Sequence, residues 1–226
     1  ISGGYRLLQI DKLDNRPISD DILEKLIEMV KQTSGNAVVF SDFRHGIFNR
    51  MSVPSLIQAI PKGAFRVADS QVASRWGNII EFKGFDLITP NEHEARFALG
   101  DQDSTLGHLA GTLNEAAEFQ NLILKLGDRG VFCLSPKRNA DVKTSHYSIE
   151  SFASNVVDAV GAGDALLAYA TLTMLATGSL VIAGILGSMA AACECECDGN
   201  VPISPEYLLR KINEVEEMTG YNTSAK

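Results

Sequence analysis

The chain has 226 residues, 45% of them hydrophobic and 21% charged, a globular composition that excludes general disorder. Its 20 basic side chains face 28 acidic ones for a net charge of −8, with no basic run, which excludes nucleic acid as an expected partner. The longest nearly apolar stretch, residues 180–193, contains Gly184, Gly187 and Ser188 and is too short to span a membrane.

Short apolar runs alternate with amphipathic stretches. Residues 5–10 predict a first strand. Residues 18–32 predict a helix, because Ile22, Leu23, Leu26, Ile27 and Val30 recur at three and four and Ser19 can cap it. Residues 37–41 predict a strand and 53–60 a short helix with Pro54 in its first turn. Strands follow at 65–68 and 85–89, and helices at 91–99 and 106–118. Residues 121–126 and 131–134 flank a Gly-Asp-Arg-Gly turn, and helices close the chain at 162–177, 180–193 and 205–218. Apolar strands alternating with helices imply a doubly wound, mostly parallel α/β sheet, whose ligands bind beyond the carboxyl ends of the strands.

Four cysteines are few for this length, and Cys193, Cys195 and Cys197 lack the spacing of a zinc site. They read as small apolar fillers at a helix end. A reducing cytoplasm is the expected compartment, and no signal peptide is evident. The chain starts with Ile, and its first residues read like the middle of something, so a fragment or trimmed domain is expected.

Asp158-Ala159-Val160-Gly161-Ala162-Gly163-Asp164 carries the strongest chemical signal. The glycines let backbone approach a ligand, and the N–H groups at the following helix start form an anion hole. Asp164, in the first helical turn, could take a proton from a hydroxyl attacking phosphorus. The competing reading is a helix-capping Asp after a flexible turn. No Rossmann glycine pattern and no Gly-Lys-Ser/Thr loop is present.

This segment resembles the C-terminal signature of the ribokinase-like (PfkB) carbohydrate kinases. Three further segments agree in order: Thr89-Pro90-Asn91-Glu92-His93-Glu94, Lys125-Leu126-Gly127-Asp128-Arg129-Gly130, and residues 190–202 with Gly199-Asn200. Segments 7–14 and 39–46 are similar to the heptose-phosphate kinase module of ADP-heptose synthases, with Ser41-Asp42-Phe43-Arg44-His45-Gly46 and Asp69-Ser70-Gln71 departing from its usual residues.

The resemblance implies a ribokinase-like three-layer α/β/α sandwich that phosphorylates a hydroxyl of a sugar or sugar phosphate with ATP and Mg²⁺. Other acceptors (fructose, ribose, a nucleoside) and a catalytically silent nucleotide- or sugar-binding member are the alternatives. It implies Asp164 as base, with Gly161, Ala162 and Gly163 supplying the anion hole. Asn91 and Glu94 would organise Mg²⁺, although Asn-x-x-Glu also fits a capping box. Lys125, Gly127 and Gly130 would face the nucleotide, although a hairpin turn explains the glycines equally. Gly199 and Asn200 would wall the adenine. Asp158 would help hold a monovalent cation such as K⁺, or cap a turn. Asp42, Asp14 and Asn15 are candidates for acceptor contact, against a strand-end Asp bonded to local amides and an exposed turn. The resemblance also implies a C-terminal, nucleotide-binding portion spanning 1–226 without the N-terminal sugar and lid portion, and dimers through lid strands.

Overall fold

The computed structural model describes residues 8, 10, 12, 16–71, 79–136 and 145–220. Asp14 and Asn15 lie outside them, as does most of the first expected strand; Leu8 and Ile10 within it carry no regular structure.

Among the described residues six strands lie in one sheet in chain order: β1 (Ala37–Asp42), β2 (Phe65–Ser70), β3 (Leu87–Ile88), β4 (Leu122–Lys125), β5 (Val131–Ser135) and β6 (Ser145–Ile149). β1 to β4 run parallel; β4–β5 and β5–β6 are antiparallel. Among the described residues seven α-helices accompany them: α1 (Asp20–Lys31), α2 (Ser52–Ala59), α3 (Glu92–Leu99), α4 (Leu106–Ala117), α5 (Ala162–Thr177), α6 (Leu180–Cys195) and α7 (Pro205–Thr219).

The two-residue period of the strands divides the core. Phe40, Ala68, Ile88, Leu122, Leu124, Phe132 and Leu134 point to one face, where Leu56 of α2 and Leu109 and Leu113 of α4 cover them. Val67, Leu87, Ile123, Val131 and Cys133 point to the other, against Leu166, Leu167 and Ala170 of α5 and Ala183 of α6. Both faces are buried, so the central strands read as continuous apolar runs. α7 packs on α6 through Leu208 against Met189 and Ala190. The result is the expected three-layer α/β/α sandwich.

Three expectations are corrected in detail. The antiparallel end of the sheet contains β6, which its polar residues Ser145, His146 and Ser148 hid, because an exposed strand needs no apolar run. Ser19 stands at the N-cap of α1 with extended backbone, but its side chain makes no capping hydrogen bond. β3 shrinks to two residues, since Phe85 and Thr89 pair outside the regular ladder.

The parallel strands bring Asp42, Asp69, Asn91 and Lys125 to one edge of the sheet, the edge from which such sheets bind ligands.

Candidate active site

The β4–β5 hairpin turns through a single 3₁₀ turn, Gly127–Arg129. Gly127 and Gly130 both have positive φ, and a Cβ on Gly130 would stand 2.1 Å from the Ile149 carbonyl oxygen. Only glycine fits there, which meets the hairpin expectation. Both glycines also line a cavity of about 320 Å³. Lys125, Ala162, Gly163, Ser188, Ala191, Ala192 and Cys195 form much of the remaining wall. Its mostly small, apolar side chains leave room for a flat apolar group.

A second cavity, about 730 Å³, lies across the strand ends, lined by Phe43, Asp69, Asn91, His93, Glu94, Lys125, Gly161, Asp164 and Asn200 among others. Lys125, Gly127, Ala159 and Gly163 line both cavities and form the seam between them.

α5 begins at that seam. Its N-cap, Gly161, has φ +91°, and the Ala162 N–H turns back to Ala159 O at 3.4 Å, while the Ala165 N–H donates to Gly161 O. The remaining first-turn amides, at Gly163 and Asp164, have no backbone partner among the described residues. Unspent helix-start donors of this kind attract anions, aided by the helix dipole. The Asp164 carboxyl stands beside them. Burial pushes its pKa above the ordinary aspartate range, the Asp69 charge pushes it further, and Lys125 pulls it back.

Asn91 caps α3 in a complete capping box: its Oδ1 accepts from the Glu94 N–H at 2.7 Å, and Glu94 Oε2 accepts from the Asn91 N–H at 2.6 Å. The bland expectation therefore holds, yet both side chains also line the second cavity. Glu94 is buried, and burial raises its pKa against the pull of Lys125. Arg129 of the hairpin turn pairs with Glu92 at the start of α3, tying the turn to that helix.

Behind α5, Asp158 makes the expected turn contact: its Oδ1 accepts from the Val160 N–H at 3.1 Å. The Asp158 N–H donates to Cys195 O, fixing the loop to the end of α6. Glu194, which the motifs did not single out, is 1% exposed. Its Oε1 accepts from the Val201 N–H at 2.8 Å, and its Oε2 has no hydrogen-bond partner among the described residues. Asn200 reaches the second cavity, whereas Gly199 serves as a turn with φ +81° and lines neither cavity.

Asp42 is placed differently. Its Oδ1 accepts from the Arg44 N–H at 2.7 Å, and its Oδ2 contacts Arg44 Nε at 2.9 Å and Ser70 Oγ at 3.2 Å. Both oxygens are engaged and the side chain is 1% exposed. This is the strand-end Asp bonded to local groups, and Phe43 is the residue that this loop turns to the cavity instead. Asp69 is the cavity residue the motifs missed; it binds Lys125 Nζ through both oxygens at 3.0 Å. No local pattern could have paired residues this far apart in the chain.

Among the described residues no helix is long and apolar enough to cross a membrane. No group of three His, Cys, Asp or Glu side chains among them could hold a metal ion directly.

Comparison with known proteins agrees with this geometry. A family profile described as pfkB family carbohydrate kinase matches residues 56–206. The bifunctional protein HldE of Desulfatibacillum aliphaticivorans is 25% identical over 197 residues, covering 84% of this chain and 38% of the relative. That of Bradyrhizobium sp. is 25% identical over 211 residues, covering 91% and 41%. The chain thus spans about two fifths of the length of these curated relatives. Phosphofructokinase-2 from Escherichia coli, solved in complex with potassium, superposes with a TM-score of 0.74 at 16% identity, covering 88% of this chain and 64% of that one. Ribokinase from Giardia lamblia gives 0.68 at 16% identity, covering 89% and 65%. At such identities the likeness is one of fold. The matched profile, by contrast, runs from α2 into the start of α7 and takes in the lining of both cavities except Phe43, and on that ground the chain belongs to the pfkB family of carbohydrate kinases.

Proposed function

We propose that this chain binds ATP and carries out phosphoryl transfer to a hydroxyl of a sugar or sugar phosphate. The observation that carries the reading is the seam: one lysine, one carboxylate of raised pKa and two unspent helix amides meet where an apolar cavity opens into a polar one. The apolar cavity suits the adenine, the seam the terminal phosphates, and the polar cavity the acceptor.

In this reading the acceptor hydroxyl gives its proton to Asp164 as its oxygen attacks the γ-phosphorus. The new O–P bond forms as the bond to the β-phosphate oxygen breaks, and ADP leaves with that electron pair. The Gly163 and Asp164 amides stabilise the charge on the transferring group. A raised carboxyl pKa makes Asp164, in its ionised form, a better proton acceptor.

Asp69, Glu94 and Asp164 surround a single ammonium, an excess of negative charge in a cavity that must admit polyphosphate. A hydrated Mg²⁺ fits this set, because Mg²⁺ keeps its waters and Asn91 and Glu94 offer oxygens for that shell. Bound with the nucleotide, it supplies neutralisation of phosphate charge. A monovalent cation fits behind α5, where Asp158 and the unpartnered Glu194 oxygen would hold it. A buried carboxylate oxygen without a partner calls for such compensation.

The resemblance to the heptose-phosphate kinase module favours a heptose phosphate as acceptor. ADP release in a coupled assay over heptose phosphates, fructose 6-phosphate, ribose and nucleosides tests the reading. Acceptor-dependent ADP release that falls about 10²–10⁴-fold in Asp164→Asn is expected. Equal turnover in the variant would remove Asp164 from the reaction.

A further inference from the structure

We infer that Asp69 is a positioning residue: it holds the Lys125 ammonium at the seam, ready for a terminal phosphate and away from the base Asp164. This inference rests on the nucleotide reading above. Lys125 is the one lysine or arginine among the described residues lining either cavity, and it lines both. Its Nζ would lie 3.4 Å from a Cβ at Gly163, so it borders the helix start that receives the phosphoryl group.

A lysine side chain has many rotamers and three N–H donors. Asp69 engages the ammonium through both oxygens at 3.0 Å each. A two-oxygen contact leaves one N–H for a phosphate oxygen and removes the search over rotamers before the ligand arrives. Three carboxylates compete for this ammonium, since the Lys125 charge is felt by Glu94 and by Asp164 as well. Were Asp69 absent, Lys125 could settle on Asp164 and compete with the acceptor proton for the base. A staple between β2 and β4 is the poorer account. β3 already joins those strands through its own ladder, so the pair is not needed to hold them together.

The test is titration calorimetry of the whole chain with Mg·ATP and with AMP, which ends two phosphates short. Asp69→Asn keeps the size but loses the charge. Its ATP affinity should fall about three- to tenfold while its AMP affinity stays within about twofold. Asp69→Glu should recover part of the ATP loss. In a Lys125→Met background, Asp69→Asn should cost nothing further, because the two residues act as one unit. An ATP:AMP ratio unchanged by Asp69→Asn overturns the inference, as does tighter ATP binding or an equal loss in both backgrounds. If Asp69→Asn fails to fold, Asp69→Ser is read in the same way. A wild-type chain that binds neither nucleotide removes the nucleotide reading itself. Wild-type ATP binding indifferent to Asp69 removes this inference alone.

Discussion

Glu194 leaves Gly161 no room for a side chain at the start of α5: a Cβ on Gly161 would stand 2.6 Å from Glu194 Oε1, and 2.8 Å from Asn200 Oδ1. With φ at +91°, the position resists any side chain on two counts. Gly161→Ala should therefore lower stability by about 1–3 kcal/mol. Gly163 differs. It sits inside the helix, and its added methyl would meet only Lys125 Nζ, at 3.4 Å. Gly163→Ala should melt no lower than wild type, since alanine is the better helix former by up to about 1 kcal/mol. It should nevertheless weaken ADP binding by crowding the anion hole. Melting curves paired with ADP titrations separate the two glycines; a Gly163→Ala protein with normal ADP affinity would remove that amide from the phosphate site.

Glu194 yields a salt-specific outcome. At constant ionic strength, KCl should raise the melting temperature of the wild type more than choline chloride does. Glu194→Gln keeps an acceptor for the Val201 N–H but loses the charge, so the difference between the salts should vanish. An equal response to both salts in the wild type would mean that no cation is held there.

The capping box makes Asn91 and Glu94 separable by experiment. Asn91→Ala removes the acceptor for the Glu94 N–H and should cost about 0.5–2 kcal/mol of stability. Glu94→Gln retains an oxygen for the Asn91 N–H, so the cap survives. Its loss of charge should instead raise the Mg²⁺ concentration needed for half-maximal ATP-dependent turnover. Unchanged Mg²⁺ dependence in Glu94→Gln would leave the box a purely structural device.

The two raised carboxyls predict opposite uses of pH. Glu94 holds its proton more tightly folded than unfolded, mainly through burial. Its contribution to stability is thus fully present below the unfolded value, about 4.5, and is lost as pH rises through the folded value. Glu94→Gln should flatten the stability curve across that window. Asp164 must be ionised to accept a proton, so transfer should fail as pH drops through its raised pKa. Because the Asp69 charge raises that pKa, Asp69→Asn should move the acid limb of the pH–rate profile to lower pH. An acid limb moving the other way, or not at all, would contradict the electrostatics described.

Local chemistry was legible in the chain. The Asn-x-x-Glu cap, the glycine hairpin between β4 and β5 and the Gly-x-Gly-Asp helix start each depend on residues a few positions apart, and each formed as its spacing predicted. Long-range partnerships were not. Asp69 and Lys125 are 56 positions apart, and only the parallel register that seats β3 between β2 and β4 brings them together. Asp42 stayed open between two readings for a related reason: only the backbone turn that places Arg44, at φ +60°, against the strand-end aspartate shows how its oxygens are used. Glu194 hid inside a cysteine-rich helix end because burial of a carboxylate leaves no mark on the sequence around it.

The most direct test of the account is calorimetric titration of the wild-type chain with Mg·ADP, beside the Lys125→Met variant. The seam predicts saturable one-to-one binding with a dissociation constant on the order of micromolar to millimolar. It also predicts a loss of about tenfold or more when the ammonium is removed. Absence of binding in the wild type, or binding that Lys125→Met leaves untouched, would contradict a nucleotide phosphate at the meeting point of the two cavities.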